Sequence, residues 1–388
     1  MVLILMKSVF WFSTLAITIS WFVYPVILYL VSIFFSRKSK QKENELVEYP
    51  SVTVLVTVNN EEAVIRKKIE NLLSLDYPRD RLDLLIVSDR SDDATEDIVR
   101  EYENFGIRLF RPLESCGKTD AQNQAFRHAH GAIVVFTDAE TMLAKNFLME
   151  ICKEFADPEV GCAGGRLHFI DFRKGVSTSQ AIYWRYELWV RKLESALGNL
   201  TTAPGACMAV RKELLRQMDA SNAEDDIIPL DIICQGKTVI QSSKAFATDA
   251  MPYSVAGELN NRIRLTAMAW QAVMNRRELL NLLLFPGVAL SLIHHRILRW
   301  MTPFFLLLIY LSSFILGLYG NIFYFIIFIT QTIMYLLAIM GFLSELTIIR
   351  KSSFCRHMFA IVWANVGFFL GIIKALSGHK ITRYKSIQ

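Results

Sequence analysis

The sequence places acidic side chains directly or shortly after three of its apolar runs: Glu61, Asp89, and the pair Asp138 and Glu140. Two carboxylates one residue apart, where the chain turns, can face the same hard cation. Mg²⁺ and Mn²⁺ prefer such oxygen ligands and commonly also bind the phosphates of a substrate. Asp138 and Glu140 are therefore candidate ligands of a divalent metal, Mg²⁺ or Mn²⁺. The alternative for an aspartate after a strand is an ordinary turn former or helix cap.

One lysine accompanies these acids. Lys118 directly follows Gly117 at the start of a predicted helix, a few residues after a further apolar run. A cation at the beginning of a helix suits a bound diphosphate, because the helix amino terminus itself favours anions. The alternative is a solvated surface lysine.

The runs that carry these residues alternate with segments of helical periodicity. We predict strands over 51–58, 82–88, 107–110 and 132–137, and helices over 61–75, 93–102 and 118–130. This alternation is typical of an α/β domain in which a parallel sheet has helices on both faces. Ligands of such sheets bind beyond the carboxyl ends of the strands. The acids and the lysine are therefore expected to meet at one edge of the sheet.

Both ends of the chain predict membrane segments. Hydrophobic residues make up 53% of the chain and charged residues 20%, which indicates a soluble domain combined with membrane helices. The uncharged run Trp11–Phe35 is long enough to cross a bilayer and too long for a signal peptide. Four basic residues follow it within seven positions, so the positive-inside rule predicts that the following domain is cytosolic.

The carboxyl-terminal third contains three further candidate spans. The uncharged stretch 300–344 fits two of them, with a turn at Gly317–Asn321, and 358–373 fits a short third. The broken apolar run 279–293 is predicted to lie in the membrane interface, with a hairpin as the alternative. Three spans would leave the tail outside, whereas its basic residues favour the inside, so the side of the tail is left open.

The net charge and the cysteine content restrict the classes of partner and the cellular compartment that we expect. The net charge of +5 fits positive flanks beside an anionic bilayer, and the sequence contains no arginine-rich stripe, so we expect no nucleic acid partner. The six cysteines form neither a C-x-x-C pair nor a zinc-ligand spacing, which favours unpaired thiols in a reducing compartment.

Taken in this order, the segments from about 51 to 300 resemble a family-2 glycosyltransferase. The family's four successive motifs are Tyr-Asn-Glu, Ser-Asp-Gly-Ser, Gly-Lys before an Asn-containing helix, and Asp-x-Asp. Their counterparts here are Asn59-Asn60-Glu61, Ser88-Asp89-Arg90-Ser91, Gly117-Lys118 with Asn123, and Asp138-Ala139-Glu140. Later segments, 183–187 and 204–207, resemble the acceptor side of the membrane-bound polysaccharide branch. Each motif is weak alone, but the ordered set is specific.

The resemblance implies a nucleotide-diphospho-sugar transferase fold of the GT-A, Rossmann-like type, and an inverting reaction. Asn60, Glu61, Asp89 and Lys118 would bind the donor, most simply a uridine nucleotide sugar. The acids 224–226 resemble a Glu-Asp motif that precedes a helix ending in glycine. Aligned on Gly236, Asp225 takes the position of the catalytic base, while Glu224 and Asp226 are alternatives. Three such acids also fit a solvated first helical turn.

The predicted organisation has four parts: a membrane helix over 1–36, a cytosolic transferase domain over 37–276, an interfacial segment over 277–299, and membrane helices with a tail over 300–388. We expect a multi-pass protein of the cell membrane that contacts membrane lipid and transfers sugar to a glycan or lipid-linked acceptor in polysaccharide biosynthesis. A catalytically inactive, transferase-like membrane scaffold is the alternative. No Gln-x-x-Arg-Trp motif of the processive synthases is found around 261–271, so processivity is left open.

Overall fold

An eight-stranded sheet with helices on both faces forms the centre of the protein. The computed structural model describes residues 1–35, 48–113, 117–170, 176–250, 255–346 and 353–377. The strands are β1 (Val52–Val58), β2 (Leu82–Ser88), β3 (Ile107–Phe110), β4 (Ile133–Asp138), β5 (Met142–Leu143), β6 (Val160–Ile170), β7 (Met208–Arg211) and β8 (Thr238–Ala250). Their order across the sheet is β3-β2-β1-β4-β7-β6-β8-β5.

The half of the sheet formed by β3, β2, β1 and β4 is parallel, as predicted. β1, β2 and β4 are largely buried on both faces, and successive residues point to opposite sides. Leu55 of β1 joins the apolar core on one face, while Val54 and Val56 join the core on the other. This two-sided burial explains why the strands read as continuous apolar runs.

The other half of the sheet is mixed, and the prediction of a parallel sheet is wrong there. β7 is antiparallel to both β4 and β6, β6 is parallel to β8, and β5 is antiparallel to β8. β7 lies between β4 and β6 although it follows both in the chain, so it enters the sheet from the opposite direction. The expected GT-A-like α/β architecture therefore contains one parallel and one mixed half.

The helices of the transferase domain are shorter than the periodicity predicted. They are α3 (Ile65–Leu73), α4 (Thr95–Arg100), α5 (Lys118–Ala125), α6 (Phe147–Lys153), α7 (Val176–Ala196), α8 (Glu224–Cys234) and α9 (Val255–Asn275). The predicted helix over 61–75 begins only at Ile65, because the residues before it form a turn at the end of β1.

Apolar helices flank the domain. They are α1 (Val2–Thr18), α2 (Tyr24–Phe35), α10 (Pro286–Leu290), α11 (Leu298–Trp300), α12 (Thr302–Leu318), α13 (Ile322–Leu346) and α14 (Ser353–Leu376). A π-helical turn joins α1 to α2, so the amino-terminal helix is continuous over Val2–Phe35. Three helices within the described ranges are long and apolar enough to cross a membrane, and the bent pair Pro286–Trp300 and Thr302–Leu318 would make a fourth.

The segment 279–293 is not a single helix, and its location in the membrane interface stays a prediction. A 3₁₀ turn over Arg277–Leu280 ends near the start of this segment. A new helix begins at Pro286, because proline is favoured at the first position of a helix. We call Pro286–Trp300 the bent segment, since it meets α12 at 56°. The turn between α12 and α13 falls at Gly320, where φ is +83° and glycine is favoured, as the sequence predicted. The basic residues after Phe35 and the basic tail lie outside the described residues.

Candidate active site

Strand register brings the predicted acids to one edge of the sheet. β1 lies between β2 and β4; Val58 pairs with Ser88, and Thr57 pairs with Asp138. Asp89, the next residue after Ser88, therefore flanks the carboxyl end of β1 on one side, and Asp138 flanks it on the other. This is the sheet edge at which α/β proteins commonly bind ligands.

Asn60 and Asp89 belong to two turns that contact each other. Asn59 Nδ2 donates to the Asp89 carbonyl at 2.6 Å, and Asn60 Oδ1 accepts from the Asp92 amide at 2.7 Å. Asn60 and Arg90 have φ of +57° and +56°, in the left-handed region that favours glycine. Arg90 occupies the position of glycine in the family's Ser-Asp-Gly-Ser motif. The left-handed backbone at this position explains why the motif has glycine there. Here arginine adopts the same turn.

Lys118 joins the candidate metal motif to the acids of α8. Its Nζ lies 2.7 Å from Asp138 Oδ1 and 2.6 Å from Glu224 Oε1. Burial opposes ionisation of Asp138, yet the charge and hydrogen bond of Lys118 hold the pKa of that carboxyl below its usual value. The structure thus brings together Lys118, Asp138 and Glu224, which are far apart in the sequence.

Glu61 lies in the field of the same acids. Burial, followed by the negative charges of Glu140, Asp138 and Asp93, raises the pKa of Glu61 to about 7. Like charges that crowd one site disfavour ionisation, and a bound cation relieves that repulsion. The pKa of Glu61 therefore depends on the charge of these neighbouring acids.

The residues present fit a hard divalent cation by their chemistry. Asp138 and the exposed Glu140 offer carboxylate oxygens, which suit Mg²⁺ or Mn²⁺, and Glu61 lies close enough to both for their charges to raise its pKa. Within the part of the chain that is described, no three acidic, histidine or cysteine side chains already form a closed metal site. An ion held by two protein carboxylates and substrate phosphates needs no such closed cage.

The three acids at the start of α8 have different partners. Glu224 is bound by Lys118, and Asp226 Oδ1 accepts from Arg296 Nη1 at 2.5 Å. Asp225 Oδ1 is buried and has no hydrogen-bond partner among the described residues. Burial and the neighbouring charges of Asp226 and Glu224 raise the pKa of Asp225 to about 8. A carboxyl with a pKa in this range can exchange a proton near neutral pH.

A family model described as glycosyltransferase like family 2 matches residues 50–265, more than half of the chain. The chain belongs to this family. The match covers β1 to β8 and the start of α9, and so includes every acid described above.

Curated relatives of this family-2 chain include lipid and polysaccharide synthases. A beta-monoglucosyldiacylglycerol synthase of Trichormus variabilis is 25% identical over 217 residues, which are 53% of this chain and 45% of the relative. A poly-beta-1,6-N-acetyl-D-glucosamine synthase of Staphylococcus epidermidis is 22% identical over 64% of this chain and 63% of its own. The chain thus spans about half the length of the first of these relatives.

A solved structure supports the fold. The mannosyltransferase PcManGT from Pyrobaculum calidifontis, solved in complex with GDP-Man and Mn²⁺, superposes with a TM-score of 0.69 at 22% identity. The match covers 94% of this chain and 98% of PcManGT, so it extends beyond the transferase domain to the flanking apolar helices. The expected GT-A-like fold is confirmed.

Sequence reasoning missed Arg296, which this family-2 chain brings to the acids from the bent segment. Arg296, Arg299 and Trp300 have the spacing Arg-x-x-Arg-Trp, which shares its final Arg-Trp with the Gln-x-x-Arg-Trp motif of the processive synthases. Arg299 Nη1 donates to Glu187 Oε2 at 3.0 Å, and Trp300 is buried. A search for the Arg-Trp pair alone would have found the segment.

The loop before α8 packs closely against the acids. Thr202 Oγ1 and the Ala203 amide both donate to the carbonyl of Asp225, at 3.0 and 3.2 Å. A Cβ on Gly205 would lie 3.0 Å from Glu224 Oε1, so glycine allows the loop to approach. The predicted acceptor-side loop at 204–207 therefore contacts the candidate base segment directly.

Proposed function

We propose that this protein is an inverting, divalent-metal-dependent glycosyltransferase that moves a sugar from a nucleotide-sugar donor to a hydroxyl of a lipid or glycan acceptor at the membrane. The observation that carries the proposal is the arrangement of the α8 acids. Asp225, whose Oδ1 lacks a partner in the described chain, lies between Glu224, bound by Lys118, and Asp226, bound by Arg296. Lys118 in turn contacts Asp138.

In the proposed reaction, Asp225 is the general base. The acceptor oxygen attacks the anomeric carbon, the bond from that carbon to the diphosphate breaks, and the hydroxyl proton passes to Asp225. A divalent metal bound at Asp138 and Glu140 would stabilise the charge of the leaving diphosphate. Lys118, which already contacts Asp138, would add a second positive charge beside it.

The donor is proposed to lie over the carboxyl ends of β1 and β2. Asn60, Glu61 and Asp89 would contact the base and ribose, since carboxylates accept from base N–H groups and ribose hydroxyls. Uridine fits this donor set, and we propose a UDP-sugar as the first candidate. The PcManGT complex contains GDP-Man, so guanosine donors belong in the same test.

The acceptor is proposed to be a hydroxyl of a membrane lipid or a growing glycan. Support comes from the names of two relatives, a glucosyldiacylglycerol synthase and an N-acetylglucosamine polymer synthase. Further support comes from the bent segment, which carries Arg296 from the membrane helices to Asp226.

The test is turnover of a panel of UDP- and GDP-sugars by the purified full-length protein in lipid nanodiscs, with and without Mg²⁺ or Mn²⁺. We expect release of nucleotide diphosphate with one donor class, and only with metal. Asp138→Ala should abolish it, whereas Asp80→Ala, which removes an exposed acid before the opposite end of β2, should not. Failure of the wild-type protein with every donor and with added membrane lipid would favour the inactive scaffold.

A further inference from the structure

A cavity of about 280 Å³ lies between the amino-terminal helix and the bent segment. Its wall is mainly apolar: Ile19, Ile27, Leu28, Val31 and Leu290. Four of these residues belong to Val2–Phe35, a helix long and apolar enough to span a membrane. A pocket with such a wall, beside a membrane helix, suits a hydrocarbon chain that enters from the bilayer.

Two separate stretches of chain lead from this cavity to the acids. Asn199 lines the cavity, and three residues later Thr202 donates to the carbonyl of Asp225. His294 also lines the cavity, and two residues later Arg296 contacts Asp226. Two stretches of chain therefore connect residues that line the cavity with residues that contact Asp225 or its neighbour Asp226, over no more than three residues each.

Close packing fixes the cavity on the side of the bent segment. A Cβ on Gly287 would lie 2.2 to 2.5 Å from three atoms of the Asn199 side chain. Only glycine allows Asn199 to approach the bent segment this closely, and both residues line the cavity. The wall at Asn199 and Gly287 is thus a packed surface, while the wall formed by the amino-terminal helix keeps exposed apolar side chains such as Ile27.

We propose that this cavity holds the hydrocarbon chain of a hydroxyl-bearing membrane lipid, which is the sugar acceptor and presents its hydroxyl to Asp225. The inference rests on the proposed function and names its acceptor. A hydroxyl is favoured over a lipid phosphate because a hydroxyl must lose a proton to a base, whereas a phosphate is already anionic near neutral pH.

The test uses a diacylglycerol with a photoactivatable diazirine in one acyl chain, incorporated into nanodiscs with the full-length protein. We expect crosslinks on peptides that contain Ile27 or Leu290, and competition by unlabelled diacylglycerol. Ile27→Trp fills the cavity and should lower the labelling severalfold. Val26→Trp is the matched control, because Val26 is the neighbouring residue, equally exposed (53% against 52%), and does not line the cavity.

Further variants separate this inference from the proposed function. Asp225→Asn and Asp138→Ala should keep the crosslink while losing sugar transfer. In sugar-transfer assays, Ile27→Trp should raise KM for the lipid and leave KM for the donor unchanged. Labelling that Ile27→Trp and Val26→Trp reduce equally would overturn the cavity assignment. Crosslinking of a diazirine polyisoprenyl phosphate in place of the diacylglycerol would overturn the choice of a hydroxyl lipid. A crosslink without sugar transfer by the wild-type protein would refute the proposed function and with it the acceptor role, while the assignment of the cavity to a lipid chain would stand.

Discussion

Asp225 differs from its two neighbours in a way that a mutation series can resolve. Glu224 and Asp226 each form an ion pair, whereas Asp225 has a buried oxygen without a described partner. Asp225→Asn keeps the shape and removes the basicity. We expect kcat to fall by a general-base factor of about 10²–10⁴ while the affinity for the donor survives. Steady-state kinetics and nucleotide binding to the same preparation measure both.

Glu224→Gln and Asp226→Asn are the matched controls, since one of them is the base if the alignment on Gly236 is off by one. Full turnover in Asp225→Asn together with loss in either control would transfer the role to that neighbour. Full turnover in all three variants would exclude the segment.

The same carboxyl predicts a pH dependence. Burial and like charges raise the pKa of Asp225 to about 8, and only the ionised form accepts a proton. The rate should therefore increase as pH rises toward 8 and level off above it, because the base is increasingly protonated below its pKa. A pH profile of kcat/KM for the wild-type protein measures this. The residual activity of Asp225→Asn should lack this rise.

Lys68 is a residue whose role the sequence did not suggest. It is fully buried, and its Nζ donates to Thr137 Oγ1 at 2.9 Å and also to the carbonyl of Thr141. These two threonines flank the candidate metal ligands Asp138 and Glu140. Lys68→Met keeps the apolar stem and removes both hydrogen bonds, so the loop loses its fixed position.

We expect Lys68→Met to weaken activation by Mn²⁺ by about 10–100-fold, as is common when an outer contact of a metal ligand is lost. A titration of activity with Mn²⁺ provides the measurement. Lys67→Met is the control, since that neighbouring lysine is exposed and its loss should leave the titration unchanged. Equal metal dependence in the two variants would show that Lys68 does not position the loop.

At the scale of elements, the sequence predicted the four parallel strands and missed the rest of the sheet. β1 to β4 begin and end within one residue of the prediction, because each is a short apolar run that ends in polar residues. The place of β7 between β4 and β6 depends on pairing between distant segments. No local pattern in the sequence records that pairing.

The residues of the candidate site also fall into two groups, those that local motifs predicted and those that only the fold brings to the site. Local motifs singled out Lys118, Asp138 and the α8 acids, and the structure brings them together. Lys68 and Arg296 reach the site from helices. Nothing in the sequence around them distinguishes them from basic residues on a solvent-exposed helix surface. The partners of Lys68 lie 69 and 73 residues away in the chain, and the partner of Arg296 lies 70 residues away. Only the fold therefore reveals these contacts.

One buried network joins the amino-terminal helix, the bent segment and α7. Glu194 Oε1 accepts from Tyr24 of the amino-terminal helix at 2.8 Å and from Ser291 of the bent segment at 2.6 Å, and it lies 2.8 Å from His295 Nδ1. Glu194 itself belongs to α7 and is fully buried. The network therefore fixes the amino-terminal helix and the bent segment to the transferase domain.

Glu194→Ala should destabilise the folded protein by about 3–5 kcal/mol, because it leaves buried polar partners uncompensated. Tyr24→Phe removes one hydroxyl and leaves the other two contacts of Glu194, so about 1 kcal/mol is expected. Thermal unfolding of both variants in the same detergent gives the comparison. Equal losses of stability in the two variants would mean that the hydrogen bond from Tyr24 accounts for the whole contribution of Glu194, and that its other two contacts add nothing.

At the scale of the whole molecule, the side of the membrane on which the transferase domain lies remains a prediction. With one span before the domain, a cytosolic domain places the turn between α12 and α13 outside. A cysteine introduced at Asp80 should therefore resist an impermeant maleimide on intact cells, whereas one at Asn321 should react. Labelling is compared with that of the parent protein, which contains native cysteines.

Reaction at Asp80→Cys from outside would invert the predicted topology. Protection of both positions would instead indicate that the bent segment and α12 form a re-entrant loop, because the turn at Gly320 would then return to the inner side.

The ion pair between Arg296 and Asp226 also sets an order of events during biosynthesis. The ribosome releases the acids of α8 before the bent segment, so a nascent chain holds three adjacent carboxyls without their arginine. Burying such a charge alone is unfavourable, so we expect the first turn of α8 to pack in place only after the bent segment has been made. We therefore expect the proposed base to be assembled only after the bent segment has packed against the transferase domain. A chain that stalls before this stage would then not consume nucleotide sugars.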